Sequence, residues 1–342
     1  MVFEDGRLDD AGTLARFDAL LRQQAEAGAR VRREAAGAVT AVTEAVAALA
    51  GQRPRAVVAA GPDSRLLRAV LEPWCPVPFI AWPGPGLPGW AGSLDLVVVL
   101  APDGGDAGTA RGVAEAVRRG CAQIVACPER SIVAEHAAGR DSFLLPTNTG
   151  DQLATAVVML DVLDRLDLAP DTDPDAVAEA LDDVAVSCSP HQDLAVNPAK
   201  ILASGIADTN PLLWGGTVLA ARAARRIAES IRRATGRTAL ATDAEHLLPV
   251  LEAAAPADIF ADPFADDAPT TRPALVLLDD GHDDPVVAAT RDRLTDAARE
   301  HGVRVEHVGV SDRAGAGDVA RYAALLATGT YAATYLRVGA ED

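Results

Sequence analysis

One predicted helix over residues 218–234 carries the side chains best suited to acid–base chemistry. Glu229 lies on the polar face of this helix, opposite its apolar stripe. Arg225 and Arg233 lie four residues to either side of Glu229, a spacing that also produces ordinary surface salt bridges. From this spacing alone, Glu229 is interpreted as a member of a surface ion-pair network.

Other titratable and cationic side chains occur in this half of the sequence. His246 follows in the next predicted helix, and an imidazole titrates near pH 6.5, which suits acid–base work. The alternative is an exposed helix histidine without a role in catalysis. Lys200 and the Arg222, Arg225 and Arg226 cluster could supply cations to an anionic ligand, although a solvated basic face is the interpretation that we favour.

Composition excludes several classes of partner. The 342 residues carry a formal net charge of -18, which opposes binding to nucleic acid or an anionic membrane. Hydrophobic residues make up 49% of the chain, enough for a folded core in each of two domains. The N-terminus has no signal-peptide pattern, and no apolar run reaches about 18 residues. We therefore expect a cytoplasmic protein.

The sequence also gives no sign of a metal or an organic cofactor. The four cysteines have no metal-ligand spacing and are interpreted as reduced thiols. The acidic stretches 262–267 and 279–284 lack the EF-hand pattern and are interpreted as solvated loops. No GxxxxGK[ST] phosphate loop and no GxSxG nucleophile elbow occurs. The tryptophans around a Pro/Gly-rich loop indicate an interface, a lid or ordinary loop packing; they are Trp74, Trp82 and Trp90.

The elements that must position these residues alternate between strands and helices. After helices over 9–50, strands are predicted at 55–60, 78–82, 94–100, 123–126 and 143–145, with helices at 65–72, 109–119 and 150–166. After a segment with one helix at 174–186, strands are predicted at 211–214, 237–241, 274–278 and 303–310, with helices at 218–234, 244–255, 285–300 and 315–336. This alternation predicts parallel sheets covered on both faces.

Several stretches of the second half resemble the bifunctional phosphoglucose/phosphomannose isomerases. They are Asn197–Lys200, Pro211–Gly216, the Arg-rich helix that follows, the histidine of the next helix, and the terminal Gly317–Leu326. The strand at 94–100 and its Gly-rich loop look like the first sugar-isomerase (SIS) half of that family. The resemblance covers most of the chain.

This resemblance implies an α/β fold with two SIS-like three-layer αβα sandwich halves, parallel sheets and additional N-terminal helices. The implied division is 1–53 for the N-terminal helices, 54–166 for the first SIS-like domain, 167–198 for a connecting segment and 199–342 for the second domain. A homodimer with sites near its interface is also implied.

The resemblance further implies isomerisation of glucose or mannose 6-phosphate to fructose 6-phosphate, without a metal or cofactor. Glu229 then becomes the base that moves the proton between C2 and C1, and His246 the group that opens the sugar ring. The implied substrate-binding residues are Ser64, Thr109, Lys200 and Arg222.

The two loops that would hold the phosphate depart from the family pattern. Within Ala101–Thr109 only Thr109 supplies a hydroxyl, while Asp103 and Asp106 add negative charge, and Asp63 does so in the loop before Ser64. Each carboxylate near a phosphate dianion costs on the order of 1 kcal/mol. The family's arginine near 146–149 is also absent. The alternatives are therefore a non-catalytic SIS relative that binds a carbohydrate derivative or a protein partner, or a dimeric structural subunit with no ligand.

Overall fold

The computed structural model describes residues 3–254, 272–310 and 317–340, which form alternating helices and strands. The strands are β1 (Val57–Ala60), β2 (Phe79–Trp82), β3 (Leu96–Leu100), β4 (Ala122–Cys127), β5 (Ser142–Pro146), β6 (Thr209–Gly215), β7 (Leu240–Ala241), β8 (Arg272–Asp279) and β9 (Arg304–Gly309). The helices are α1 (Ala11–Arg16), α2 (Asp18–Ala25), α3 (Ala27–Leu49), α4 (Ser64–Trp74), α5 (Ala107–Arg119), α6 (Ile132–His136), α7 (Gln152–Asp164), α8 (Pro174–Ser187), α9 (Pro198–Ile206), α10 (Val218–Thr235), α11 (Ala244–Glu252), α12 (Pro285–Glu300) and α13 (Asp318–Ala340).

Two parallel sheets form the framework. The first has the strand order β2-β1-β3-β4-β5 and the second the order β7-β6-β8-β9, and all pairings between neighbours are parallel. Every residue of β1 and β3 is buried, as expected for strands covered by helices on both faces. The predicted α/β class with two parallel sheets is confirmed.

Chain contacts divide the protein into two compact units. The first-sheet unit consists of Ala27–Glu179 and Gly315–Ala320; the second-sheet unit consists of Met1–Glu26, Ala180–Ala314 and Arg321–Asp342. In the first-sheet unit α3 packs against α7 and β5. The domain boundaries inferred from the sequence stay a proposal.

Local signals explain most helix boundaries. The helical stretch predicted over 9–50 is divided into α1, α2 and α3. Helix α9 was not predicted, although its signals are strong: Asn197 Oδ1 accepts hydrogen bonds from the amides of Ala199 and Lys200, and Pro198 occupies the first turn. Within the described ranges, no helix has the length and apolar character required to cross a bilayer.

Candidate functional site

Loops from β1, β3 and β5 meet at the carboxyl edge of the first sheet. Gly61, with a φ of +91°, turns the chain after β1, and a Cβ added there would lie 3.0 Å from Thr109 Oγ1. The Gln152 side chain at the start of α7 donates a hydrogen bond to Asp63. The structure therefore brings together the first turns of α4 and α5, which carry Ser64 and Thr109.

The Thr109 hydroxyl is already committed to a neighbouring carboxylate. Its Oγ1 donates to Asp106 Oδ2 at 2.6 Å, and its amide donates to the same oxygen at 2.5 Å. These hydrogen bonds, that of the side chain first, lower the pKa of Asp106. Asp106 thus stays ionised at neutral pH. A phosphate-binding loop would have a hydroxyl donor at this position, whereas here the loop has a negative charge.

Ser64 differs from Thr109 in having no assigned partner. The residue is 1% exposed, and its Oγ forms no hydrogen bond with any other described residue. A buried hydroxyl without a partner costs about 1–3 kcal/mol, so such groups usually find a partner in water or a ligand. Ser64 is therefore a buried hydroxyl at this edge whose hydrogen-bonding capacity is not used by the described residues.

Trp82 places an indole ring at the same edge. It is the last residue of β2 and pairs with Ala60 of β1, and its backbone carbonyl accepts a hydrogen bond from the Gly61 amide at 3.0 Å. Its side chain is 37% exposed. Trp74 and Trp90 are also exposed, but Trp74 ends α4, and Trp90 contacts Arg55 ahead of β1. Of these three tryptophans, only Trp82 lies at the carboxyl ends of the strands.

In the second-sheet unit, the turn between β6 and α10 fixes the helix that carries Glu229. A Cβ on Gly215 would lie 2.2 Å from the carbonyl carbon of Ala220, so only glycine permits this close approach. Thr217 Oγ1 accepts a hydrogen bond from the Ala220 amide and caps the helix. Glu229 is half-buried, and its Oε2 accepts a hydrogen bond from Arg226 Nη1 at 3.1 Å.

Arg222 and Tyr322 lie beside this ion pair. The Nε of Arg222 and the hydroxyl of Tyr322 are buried, and neither has a partner at hydrogen-bond geometry among the described residues. Burial lowers the pKa of Arg222. Burial also raises the pKa of Tyr322, although the positive charge of Arg222 acts to lower it. Glu229 and Arg226 act on the same tyrosine. These four residues form a cluster, the Arg222 cluster, at the contact between α10 and α13.

His246 lies in α11 and is exposed. Arg225 Nη2 lies 3.9 Å from Asp243 Oδ1, which connects α10 to the residue before α11. The structure therefore places His246 and Glu229 on consecutive helices of one unit. Their catalytic roles stay predictions.

Lys200 has a different position from the one expected of a substrate-binding residue. It is 0% exposed, and its Nζ donates to Asp9 Oδ1 at 2.7 Å and to the carbonyls of Pro190 and Gln192 at 2.9 and 2.8 Å. The ammonium also lies 5.4 Å from the ring centroid of Tyr335. An ammonium has three N–H donors, and all three are used. As placed, Lys200 stabilises the second-sheet unit and has no donor for a ligand.

Comparison with known families decides what kind of domain surrounds Glu229. Residues 195–340 match the model of the bacterial phospho-glucose isomerase C-terminal SIS domain. This match confirms the resemblance named from the sequence for that region. No protein of curated function matches the chain.

Solved structures extend the SIS fold to the first half. Tagatose-6-phosphate ketose/aldose isomerase from Escherichia coli is 13% identical with a TM-score of 0.67, and the match covers 92% of this chain and 91% of that one. A proposed sugar-binding protein from Salmonella typhimurium LT2 is 15% identical with a TM-score of 0.61, covering 94% and 99%. At these identities the likeness shows the fold, and the two SIS-like sandwich halves are confirmed.

One acidic loop of the second SIS sheet is less solvated than predicted. Asp280 is only 5% exposed and accepts a hydrogen bond from the Thr217 hydroxyl, while Asp279 pairs with Arg291 at 2.9 Å. The interpretation of 279–284 as a solvated loop is therefore wrong at Asp280, because this carboxylate connects the β6 and β8 loops. The stretch 262–267 lies outside the described residues. In the described part of the chain, no group of three or more His, Cys, Asp or Glu side chains could hold a metal ion.

Sequence reasoning missed two residues of these sites. Tyr322 falls inside the Gly317–Leu326 stretch that carries part of the resemblance, but a single tyrosine in a helix gives no signal of its own. Trp82 was noted as one of three tryptophans, and only the strand register of the SIS sheet separates it from the other two.

Proposed function

We propose that this SIS protein binds a carbohydrate derivative that lacks a phosphate group, at the carboxyl edge of its first sheet, and does not isomerise hexose 6-phosphates. The observation that supports this most is the commitment of the Thr109 hydroxyl to Asp106. The hydroxyl already donates its hydrogen bond within the protein, and the carboxylate that accepts this bond repels phosphate.

The carboxylates at this edge repel a phosphate group. A unit charge pair about 5 Å apart interacts by about 1 kcal/mol in water and by about 3 kcal/mol at the effective dielectric of a protein surface. A phosphate dianion meets this repulsion twice for every nearby carboxylate, and Asp63 lies in the adjacent loop. Carboxylates accept hydrogen bonds from sugar hydroxyls and ammonium groups, so neutral and amino sugars are favoured instead.

Trp82 and Ser64 fit the same class of ligand. The apolar C–H face of a sugar ring packs against an indole, and Trp82 is 37% exposed at this edge. The buried Ser64 hydroxyl supplies an unused hydrogen-bonding group in the neighbouring loop. The proposed sugar-binding protein among the structural neighbours has the same fold.

Thermal unfolding with added sugars tests this proposal. Glucose, mannose and glucosamine should each be compared with glucose, mannose and fructose 6-phosphates at the same concentration and ionic strength. A ligand at ten times its Kd stabilises by about 1.4 kcal/mol, a shift of a few degrees. We expect a shift with at least one unphosphorylated sugar, and none with the phosphates. No shift with any sugar would refute the proposal.

A matched pair of tryptophan variants locates the binding site. Trp82→Ala should abolish the sugar-dependent shift, whereas Trp74→Ala removes a more exposed indole from the end of α4 and should preserve it. An equal effect of the two substitutions would show that Trp82 does not contact the sugar.

A phosphohexose isomerase is the second candidate, favoured by the Arg222 cluster. Arg222 and Tyr322 present unpartnered donors beside the Glu229 carboxylate, and an enediolate needs a base and nearby donors. The tagatose-6-phosphate isomerase neighbour acts on a phosphosugar. A coupled assay of glucose 6-phosphate turnover decides: activity lost in Glu229→Gln but kept in Glu252→Gln, an exposed control on α11, would support this candidate.

We also propose a homodimer, which the resemblance to the isomerase family implies. Sedimentation velocity at micromolar concentration should give about twice the monomer mass of 35.3 kDa. A single monomeric species across that range would contradict it.

A further inference from the structure

The side chain of a buried glutamate in α3 contacts the loop that follows β5. Glu34 is 1% exposed. The amide of Asn148 donates to both of its carboxylate oxygens at 2.9 Å, and Thr149 donates to Oε1 through its amide at 2.5 Å and through its hydroxyl at 2.6 Å. A carboxylate removed from water is thus held by consecutive backbone amides and one hydroxyl.

This donor set is separate from the cap of the helix that follows. Helix α7 is capped by its own Asp151, whose Oδ1 accepts a hydrogen bond from the Ala154 amide at 3.0 Å. The amides of Asn148 and Thr149 precede that cap, and they donate to Glu34 instead of to an acceptor in their own loop. Consecutive amides of this kind form a concave nest that binds anions. The acceptor that fills it comes from a residue 114 positions earlier in the chain.

We propose that Glu34 is a built-in anion: its carboxylate occupies an oxyanion nest at Asn148 and Thr149 and keeps that nest closed to carboxylate or phosphate groups from solution. Removal of the carboxylate should convert the nest into a binding site for small oxyanions. This inference concerns the first-sheet unit alone and stands whether or not a sugar binds there.

Neighbouring contacts keep α3 in place over the nest. Arg30, one turn before Glu34, donates from Nε to Asp151 Oδ2 at 2.6 Å, and both side chains are less than 20% exposed, at 17% and 19%. One turn after Glu34, a Cβ on Gly37 would lie 3.1 Å from Asn148 Nδ2, so the helix backbone approaches this loop closely. An external anion would have to displace α3 at these contacts before it could replace Glu34.

Chemical rescue tests the proposal. Glu34→Ala removes a CH₂–carboxylate group, which formate and acetate match in charge and size. We expect the Tm of this variant to fall well below that of the wild type. Formate or acetate at tens of millimolar, with ionic strength held constant by chloride, should raise it by a few degrees. Inorganic phosphate is the third probe.

Two controls separate rescue from a general salt effect. Glu44→Ala removes an exposed glutamate from the same helix and should show neither the loss nor an anion-specific gain. Glu34→Gln fills the nest with an uncharged side chain of similar volume, so it should lose stability and gain little from formate. An equal gain in Glu34→Gln and Glu34→Ala would contradict a vacated nest.

The outcomes decide the proposal in either direction. If Glu34→Ala is unfolded in chloride, its recovery in formate supports the nest, and failure to recover in formate, acetate and phosphate counts against it. If Glu34→Ala folds but gains no more from these anions than Glu44→Ala does, the proposal is overturned. A wild-type gain as large as that of Glu34→Ala would also overturn it, because the nest would then be open.

Discussion

Two sites of this protein differ in how completely their charged and polar groups are hydrogen-bonded. At the carboxyl edge of the first sheet, the carboxylates of Glu34 and Asp106 accept well-formed hydrogen bonds from amides and hydroxyls. In the Arg222 cluster, the buried Nε of Arg222 and the hydroxyl of Tyr322 have no partner at hydrogen-bond geometry in the described part of the chain. Fully hydrogen-bonded charges stabilise the protein, whereas a buried donor without a partner costs stability unless water or a ligand accepts from it.

Lys200 shows that the second-sheet unit can also satisfy a cation completely. Burial acts to raise the pKa of Asp9, but the hydrogen bonds from Lys200 and from the Leu194 amide outweigh it and lower this pKa. Lys200 and Arg222 were both predicted to bind substrate. Because all donors of Lys200 are used within the protein, Lys200 has a structural role. Arg222, whose Nε has no partner among the described residues, remains a candidate for ligand binding.

The largest loss of stability should come from removing the fully hydrogen-bonded ammonium of Lys200. Lys200→Met removes a fully buried ammonium and leaves two backbone carbonyls and Asp9 without their donor. We expect a loss of about 3 kcal/mol in the free energy of unfolding. Urea unfolding measures it, with Lys200→Arg as the charge-retaining control. A loss below about 1 kcal/mol would mean that Lys200 is not the anchor described here.

A smaller effect is expected at Asp106, the cap of α5. Asp106→Ala should cost about 1 kcal/mol at neutral pH, as for other N-cap residues. The pKa of Asp106 is lowered on folding, so its contribution is present above the unfolded pKa, near 3.8, and is lost as the pH falls through the folded value. The Tm difference between wild type and variant should therefore shrink below about pH 4. A constant difference would contradict this assignment.

Arg222 should respond in the opposite way to Lys200. Burial lowers the pKa of Arg222, so folding disfavours its charged form and this burial costs stability at neutral pH. Arg222→Met should consequently leave the unfolding free energy within about 1 kcal/mol of the wild type, or raise it. A loss above about 2 kcal/mol would show that the guanidinium is structural, like Lys200, and would remove it from the ligand-binding candidates.

The smallest changes are expected at the predicted catalytic pair. Glu229 is half-buried with one partner on its own helix, and His246 is exposed. Glu229→Gln and His246→Ala should each change the unfolding free energy by less than about 0.5 kcal/mol. Larger losses in thermal unfolding would give these residues a structural role, in contrast with the functional one predicted for them.

The sequence was sufficient for the fold because its signals are local. Continuous apolar runs such as 94–100 marked the buried strands, and their alternation with helices marked two parallel sheets. The contacts of Thr109 with Asp106 and of Arg226 with Glu229 are also local, at three residues' separation, but other polar contacts have distant partners that no local pattern encodes. Glu34 contacts a loop 114 residues away, and Lys200 contacts Asp9. Lys200 was therefore predicted as a ligand contact, and Glu34 was missed.

The first-sheet edge should select against phosphate because the Thr109 hydroxyl donates its hydrogen bond to the Asp106 carboxylate. The most direct measurement compares the Tm shifts given by glucose and glucose 6-phosphate in the wild type and in Asp106→Asn, which keeps a capping oxygen without the charge. We predict a larger shift with glucose than with its phosphate in the wild type, and a gain for the phosphate in the variant. A wild-type shift that is larger with glucose 6-phosphate would contradict the account.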